Sequence, residues 1–329
     1  MKWLKRITIV VLLLIGLYMI GPRPEHPVYG NALPAVPSTA VALEQYVGNE
    51  EARHKLKPDN EARIVWANDS LKQPTEYAIV YLHGFSASQE EGNPVHRNIA
   101  KAFGCNLYLS RLAEHGIDTT EPLMNLTAQN YWESAKQAYA IGKQLGKKVI
   151  LMGTSTGGTL ALLLAAAYPD VAGVILMSPN IEINDPNAWL LNNPWGLQIA
   201  RLVMHSKYRD IANDKPAYRQ YWNGHYRLEG AVALEELLET TMKEATFKKV
   251  HQPVLTLYYY KDEQHQDPVV KVSAMKTMFN ELGTPVNEKR MIAVPNAGNH
   301  VLGCPIVSKD IVTPQKDITA FLKEVMHLP

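Results

Sequence analysis

Hydrophobic positions from about residue 61 onward alternate between short continuous runs and stretches with helical spacing. Short runs rich in β-branched and aliphatic residues are typical of strands buried on both faces of a sheet. Such strands are predicted at residues 62–67, 77–82, 105–109, 148–152, 171–177, 254–260 and 289–294. Helical spacing predicts helices at residues 94–103, 127–145, 156–168, 269–282 and 314–325. The alternation predicts an α/β fold, a mostly parallel sheet with helices on both faces.

One long segment, residues 180–251, interrupts this alternation. It has almost no strand pattern, is rich in Trp and Tyr, and has a strongly helical pattern over residues 231–246. An insertion of about 70 residues between two strands is long enough to cover a site on the sheet edge. We therefore expect a helical lid at about residues 182–250. A run of ordinary surface helices is the alternative.

The first 21 residues differ from the rest of the chain. Lys2, Lys5 and Arg6 precede an uncharged apolar run at residues 7–20. This layout predicts a secretory signal peptide or an N-terminal membrane anchor over residues 1–21. The run is shorter than the roughly 20 residues that cross a bilayer, which favours a signal peptide, whereas the lack of a small-residue cleavage site favours an anchor. Both predict export to the cell envelope, as a membrane-anchored, periplasmic or secreted protein.

The segment after the apolar run is marked by proline. Residues 22–37 contain five prolines and no hydrophobic periodicity, which predicts an extended tether. The remaining residues, 38–329, are predicted to form one domain that contains the lid. A chain of this length buries a full core without disulfides or metals.

Charge and composition exclude several functions. The chain has 33 Lys+Arg and 32 Asp+Glu, a net charge of +1, so it has no basic field for a nucleic-acid partner. Cys105 and Cys304 are its two cysteines, too few for a disulfide scaffold or a four-thiolate zinc site. The sequence contains no metal-ligand cluster and no dinucleotide fingerprint, so we predict no metal and no cofactor.

A candidate nucleophile follows the strand predicted at residues 148–152. Gly153 and Gly157 flank Ser155 in a Gly-x-Ser-x-Gly pattern, and a predicted helix follows. Small flanking residues allow a sharp, strained turn that lifts the serine hydroxyl above the sheet. A phosphate-binding turn is the rival interpretation, but it lacks the lysine and acidic partner of a P-loop. The pattern therefore indicates that Ser155 is a nucleophile.

A serine nucleophile needs a base, and a histidine base needs an acid to orient it. His300 lies in a loop of small residues directly after the strand predicted at residues 289–294, and imidazole suits proton transfer near neutral pH. The acid is expected after the preceding strand, where Asp262 lies nearer the strand end and Asp267 lies at the start of the next helix. Position alone leaves both aspartates open.

Three motifs together resemble a known superfamily. Ser155, the acidic loop and His300 occur in the chain order of α/β hydrolases. The His-Gly-Phe turn at residues 83–85 and the Arg-Leu-x-x-His-Gly segment at residues 111–116 also resemble that superfamily. From about residue 77 to 326 the chain is most similar to its monoacylglycerol lipase and carboxylesterase-like branch, also called serine aminopeptidase-like.

This resemblance implies an α/β-hydrolase fold and a small-molecule acyl ester as the substrate. It favours Asp267 as the acid, because that residue precedes a valine-rich helix start, although two extra residues before it keep Asp262 open. It also implies that the backbone N–H groups of Phe85 and Thr156 form the oxyanion hole. An aminopeptidase, a thioesterase and a non-catalytic binding module on the same scaffold are the alternatives.

Overall fold

The computed structural model describes residues 2–329, so Met1, at the start of the predicted N-terminal segment, lies outside it. The strands are β1 (Arg63–Val65), β2 (Thr75–Leu82), β3 (Asn106–Leu109), β4 (Gly146–Thr154), β5 (Val171–Met177), β6 (Tyr208–Asp210), β7 (His225–Arg227), β8 (Val254–Tyr258), β9 (Tyr260–Asp262), β10 (His265–Gln266) and β11 (Lys289–Ala293). The helices are α1 (Lys2–Met19), α2 (Ala40–Glu51), α3 (Val95–Ala102), α4 (Ala128–Leu145), α5 (Thr156–Ala167), α6 (Gly196–Met204), α7 (Pro216–Tyr221), α8 (Leu228–Thr241), α9 (Glu244–Phe247), α10 (Val272–Glu281) and α11 (Val312–Glu324).

The central sheet has seven strands in the order β1-β3-β2-β4-β5-β8-β11. All neighbouring strands are parallel except β1, which runs antiparallel to β3. The predicted α/β architecture is therefore confirmed. Because the strands are parallel, the chain leaves β2, β4, β5, β8 and β11 at the same edge of the sheet, where sites in open α/β sheets form.

The core lies on both faces of this sheet because successive side chains of a strand point to opposite faces. On one face, Val80 of β2 packs in the same cluster as Trp132 of α4. On the other face, Ile79 packs with Ile99 of α3 and Phe321 of α11. Helices thus cover both faces, which explains why the central strands read as continuous hydrophobic runs.

The chain between β5 and β8 forms the predicted insertion, residues 178–253. It contains the helices α6, α7, α8 and α9, as the sequence predicts for this segment. It also contains β6 and β7, which pair antiparallel with Tyr208 opposite Arg227. The sequence does not predict this pair, because three-residue strands are too short for an alternating pattern to be recognised. A lid function for the insertion stays a prediction.

Helix α1 projects from the domain with its apolar side chains exposed. Its C-terminal end is held by the insertion, where Trp195 Nε1 donates to Leu17 O at 3.0 Å. In the described part of the chain, no helix combines the length and the apolar character needed to span a bilayer. The signal peptide or membrane anchor predicted for residues 1–21 stays a prediction.

Residues 22–37, called the strap below, have no helix or strand and lie against the domain surface. Three side chains donate to its carbonyl oxygens: Trp132 Nε1 to Gly30 O at 2.9 Å, Tyr168 Oη to Asn31 O at 2.9 Å and Lys136 Nζ to Ala32 O at 3.0 Å. The segment predicted as a tether is extended, and it is bound along α4.

Candidate active site

Ser155 occupies the turn between β4 and α5. Its backbone has φ 53° and ψ −119°, a conformation that costs free energy for a residue with a side chain. Its N–H donates to Met177 O at the end of β5, at 2.9 Å. The structure thus holds the candidate nucleophile at the carboxyl edge of the sheet in the strained turn that the Gly-x-Ser-x-Gly pattern predicts.

The two glycines of this pattern are required by close contacts. A Cβ atom on Gly157 would lie 1.9 Å from the carbonyl oxygen of Leu82, at the end of β2. A Cβ atom on Gly153 would lie 2.3 Å from the carbonyl oxygen of Gly157. Any larger residue would push α5 away from β2 and widen the turn that presents Ser155.

His300 and Asp267 form a buried pair. His300 Nδ1 donates to Asp267 Oδ2 at 2.7 Å, and the side chains are only 9% and 0% exposed. The other carboxylate oxygen of Asp267 accepts from the backbone N–H groups of Val269 and Val270 at 2.9 and 3.1 Å. His300 Nε2 is buried and has no hydrogen-bond partner within residues 2–329. This nitrogen is therefore free to exchange a proton with a ligand or a nucleophile.

Asp267 and His300 each shift the pKa of the other toward its charged form. Burial of Asp267 disfavours its charge, but the charge and hydrogen bond of His300 and the two backbone N–H groups outweigh burial and lower the pKa of the carboxyl. Burial of His300 likewise disfavours its charge, but Asp267 and a second carboxylate, Glu91, raise the pKa of the imidazole above its ordinary value. The carboxylate stays ionised, and the imidazole binds a proton readily.

Asp262, the other candidate acid, binds a different histidine. Its Oδ1 accepts from His265 Nδ1 at 2.8 Å and from two backbone N–H groups, in the exposed turn between β9 and β10. This short hairpin takes up the extra residues that follow β8, and it closes where Asp267 N donates to Tyr259 O at 3.1 Å. Of the two aspartates that the sequence leaves open, the structure brings Asp267 to His300.

The two candidate oxyanion donors belong to the two segments that meet at Ser155. Thr156 is the first residue of α5, and Phe85 belongs to residues 83–88, called the β2 loop below. Within the described residues, neither backbone N–H donates a hydrogen bond. The β2 loop approaches the nucleophile closely, since a Cβ atom on Gly84 would lie 3.1 Å from Ser155 Cβ. Both N–H groups are therefore available to a ligand oxygen.

Two buried histidines, His83 and His115, hold the β2 loop. His83 Nδ1 donates to Gly84 O at 2.8 Å, and its Nε2 accepts from Leu112 N at 3.0 Å. His115 Nε2 accepts from Ser86 N at 3.0 Å. Burial lowers the pKa of His83 to about 4 and that of His115 well below its ordinary value. Both rings are neutral at physiological pH and act as fixed hydrogen-bonding groups.

Sequence reasoning missed Glu91. It lies in a short 3-10 turn, Gln89–Gly92, and its Oε2 accepts from Gly84 N at 2.6 Å. The side chain is buried although an acidic pair in a glycine-containing turn normally indicates a solvated surface. Nothing in the local pattern distinguishes this glutamate from its neighbour Glu90.

A cavity of about 620 Å³ lies away from these groups, between the strap, the start of α4, α6 and α8. Its lining includes Pro24, Leu126, Leu197 and Val232, and does not include Ser155.

Comparison with known proteins agrees with the fold. A solved structure from work on LipS and LipT, two metagenome-derived lipolytic enzymes, superposes with a TM-score of 0.65 at 18% identity, over 82% of this chain and 100% of that one. Est1E from Butyrivibrio proteoclasticus, solved with ferulic acid bound, superposes with a TM-score of 0.55 at 15% identity, over 81% of this chain and 95% of that one. At such identities the likeness establishes the fold, and the chain is an α/β hydrolase by architecture.

The family follows from the sequence match. The family model for serine aminopeptidase, S33, matches residues 128–297, just over half of the chain, and the chain belongs to this family. A thermostable monoacylglycerol lipase from Bacillus sp. (strain H-257) is 30% identical over 105 residues. That alignment covers 32% of this chain and 41% of the lipase, so the chain matches less than half of the length of this relative.

Proposed function

We propose that this protein is a serine hydrolase that cleaves carboxylic esters, an esterase or lipase whose substrates include monoacylglycerols. The observation that carries the proposal is that the loops leaving the carboxyl edge of the sheet hold both Ser155, in its strained turn, and the buried pair of Asp267 and His300, whose Nε2 has no partner within the described residues. A nucleophile, a base and an orienting acid are the three groups that acyl transfer requires.

In the first half of the reaction, Ser155 Oγ attacks the ester carbonyl carbon while His300 Nε2 takes the hydroxyl proton. Asp267 holds the imidazole by its Nδ1–H and stabilises the imidazolium. The negative oxygen of the tetrahedral intermediate accepts from the N–H groups of Phe85 and Thr156. The intermediate then breaks its bond to the alcohol oxygen, which leaves with the proton from His300, and an acyl-enzyme on Ser155 remains.

In the second half, water replaces the alcohol. His300 Nε2 takes a proton from water as its oxygen attacks the acyl carbon, and the second tetrahedral intermediate occupies the same pair of N–H donors. Collapse breaks the bond to Ser155 Oγ, which recovers the proton from His300. The carboxylic acid is released and the enzyme returns to its starting state.

The residues around the site favour a substrate with an apolar or aromatic acyl group. The Phe85 ring packs edge-on against Tyr226 of the insertion, with centroids 5.0 Å apart. Gly230 of α8 lies over the same ring, since a Cβ atom there would be 3.4 Å from Phe85 Cζ. The insertion therefore places an apolar surface next to the proposed oxyanion donors, where the acyl chain of a bound ester would lie.

Replacement of the nucleophile tests the proposal. We expect Ser155→Ala to abolish hydrolysis of p-nitrophenyl butyrate and labelling by a fluorophosphonate probe, with an unchanged melting temperature. Ser70→Ala is the matched control, because Ser70 is an exposed serine in a turn and should keep full activity and labelling. Wild-type rates in the Ser155→Ala variant would exclude the proposal.

The bond that is cleaved is tested with a substrate panel. Acyl esters, acyl thioesters and amino-acid anilides of matched acyl size should give the highest kcat/KM for the esters. A preference for anilides would assign an aminopeptidase, and a preference for thioesters a thioesterase. Absence of turnover together with absence of fluorophosphonate labelling would assign a binding protein.

We also propose export to the cell envelope, on the basic residues and apolar run of the N-terminal segment. Cell fractionation combined with N-terminal sequencing tests this. Recovery from the envelope or medium supports export, and the first residue found distinguishes a cleaved from a retained segment. Recovery in the cytoplasm alone would exclude it.

A further inference from the structure

Glu91 lies at the contact between the two loops that carry the proposed oxyanion donor and the base. On one side, its Oε2 accepts from Gly84 N at 2.6 Å, next to Phe85 in the β2 loop. A Cβ atom on Gly84 would touch both carboxylate oxygens, at 2.9 and 3.0 Å, and Ser155 Cβ at 3.1 Å. The carboxyl group and the nucleophile therefore lie against the same point of the β2 loop.

On the other side, Glu91 packs against the loop after β11, residues 294–304, which contains His300. A Cβ atom on Gly303 would lie 3.0 Å from Gly92 Cα and 3.2 Å from Glu91 O. A small apolar cluster joins the β2 loop, the insertion and the loop after β11. Its buried members are Ala87, Trp222, Val301 and Cys304. The 3-10 turn that contains Glu91 thus lies between the β2 loop and the loop after β11.

The surroundings of the carboxyl group are fully buried and carry little charge. Burial raises the pKa of Glu91 to about 7, while the Gly84 N–H, the charge of His300 and the nearby Trp222 side chain act in the opposite direction. Four other titratable groups interact with the charge of Glu91, and all four are neutral near pH 7. They are Tyr81, Tyr131, Tyr218 and Cys304. His300 is therefore the cationic partner of Glu91, and the two groups titrate together.

We propose that Glu91 is a positioning residue of the active site, which fixes the His83–Gly84 peptide, directly before Phe85 and beside Ser155, and sets the pH range in which His300 acts as a base. The inference rests on the proposed serine-hydrolase function. It assigns two separable properties to one side chain. The hydrogen-bond acceptor at Oε2 holds the β2 loop, and the negative charge stabilises the imidazolium form of His300.

The sign of the charge effect is fixed by this arrangement. An anionic Glu91 favours protonated His300 and so raises the pH above which the imidazole is free to accept a proton. Removal of that charge should extend activity to lower pH. Removal of the acceptor should instead lower kcat at every pH, because Phe85 N–H is then no longer held toward the oxyanion.

Two substitutions separate these properties. Glu91→Gln keeps an oxygen for Gly84 N–H and removes the charge. We expect the acid limb of its pH profile, the range in which kcat/KM falls as the pH drops, to lie about 1 pH unit lower than in the wild type. Its kcat at pH 8 should be near normal. Glu91→Ala removes both, so we expect kcat to fall by about 10- to 100-fold, less than the 10²–10³-fold typical of deleting an oxyanion donor. Glu90→Gln is the matched control, because Glu90 bonds Asn93 on the same turn and should leave profile and rate unchanged.

A measurement independent of turnover distinguishes failure of this inference from failure of the proposed function. The imidazole of His300 is titrated by NMR in the wild type, Glu91→Gln and Glu90→Gln, with its signal assigned from His300→Asn. A lower His300 pKa in Glu91→Gln alone supports the coupling even if no ester is hydrolysed. Melting temperatures identify any variant that fails to fold. If Glu91→Ala does not fold, Glu91→Gln, which keeps the hydrogen-bond acceptor, still tests the coupling between Glu91 and His300.

Two results would overturn the inference. The charge role fails if the His300 titration and the acid limb of Glu91→Gln coincide with those of the wild type. The positioning role fails if folded Glu91→Ala keeps kcat within about threefold of wild type, since a displaced oxyanion donor costs far more.

Discussion

Asp267 holds His300 with one carboxylate oxygen, at 2.7 Å from Nδ1, while its other oxygen is fixed by the backbone N–H groups of Val269 and Val270. The carboxyl group therefore cannot rotate without losing three hydrogen bonds. An Asp267→Asn variant can present an amide N–H to Nδ1, which would select the wrong imidazole tautomer. We expect kcat for p-nitrophenyl butyrate to fall by about 10³- to 10⁴-fold with little change in KM.

Asp262→Asn is the control for this prediction, because Asp262 is exposed and binds His265. Its kcat and KM should match those of the wild type. A larger loss in Asp262→Asn than in Asp267→Asn would assign the acid to Asp262 and contradict the geometry.

The pH profile provides a second prediction. Neutral His300 is the active form of the base, and the charges of Asp267 and Glu91 raise its pKa above the ordinary 6.5. The value of kcat/KM should therefore fall as the pH drops, with an apparent pKa above 6.5. Initial rates at low substrate between pH 5 and 9 measure this limb. A limb centred at or below 6.5 would show that the two carboxylates do not control the imidazole.

The fold was predictable because its strands are short, apolar and buried on both faces. Hydrophobic runs and helical spacing locate β2, β4, β5, β8 and β11, and these strands place every loop of the site. The hairpins β6–β7 and β9–β10 were not predicted, because strands of two or three residues carry no usable periodicity. The second hairpin is also the reason that sequence position could not separate Asp262 from Asp267.

Ser155 and His300 were identifiable since each follows a strand and carries a chemically specific side chain. Glu91 was not, because its burial depends on Gly92 and Gly303 packing against each other from loops more than 200 residues apart. That tertiary contact is not encoded by any local pattern. The bound conformation of the strap was missed for the same reason, as it depends on Trp132, far along the chain.

A third prediction concerns the glycines at the nucleophile turn. Gly157→Ala would place a methyl group 1.9 Å from Leu82 O, where the backbone must move. We expect loss of esterase activity together with a lower melting temperature, because overpacking typically costs about 1–3 kcal/mol. Gly48→Ala is the control: Gly48 is in α2 with no atom within 4 Å of the added Cβ, so activity is retained and stability rises by about 0.5–1 kcal/mol. An active, stable Gly157→Ala variant would contradict the close approach of α5 and β2.

The last prediction concerns Lys57, which fastens the insertion to the domain. Its Nζ donates to Arg219 O at 2.6 Å and to Trp222 O at 3.0 Å, at the end of α7. Trp222 in turn lies against Glu91. Lys57→Met would leave both carbonyl oxygens without this donor, at a cost of about 1–3 kcal/mol in the free energy of unfolding. We expect a lower melting temperature in thermal denaturation.

Lys55→Met separates this effect from loss of positive charge, because Lys55 is exposed and, among the described residues, its ammonium pairs with Asp118 at 2.7 Å. Its melting temperature should not change. Since Trp222 links the end of α7 to Glu91, the Lys57→Met variant should also shift the acid limb of kcat/KM, whereas Lys55→Met should not. A destabilised Lys57→Met enzyme with an unaltered pH profile would mean that the insertion is fastened by Lys57 but does not transmit its position to the site.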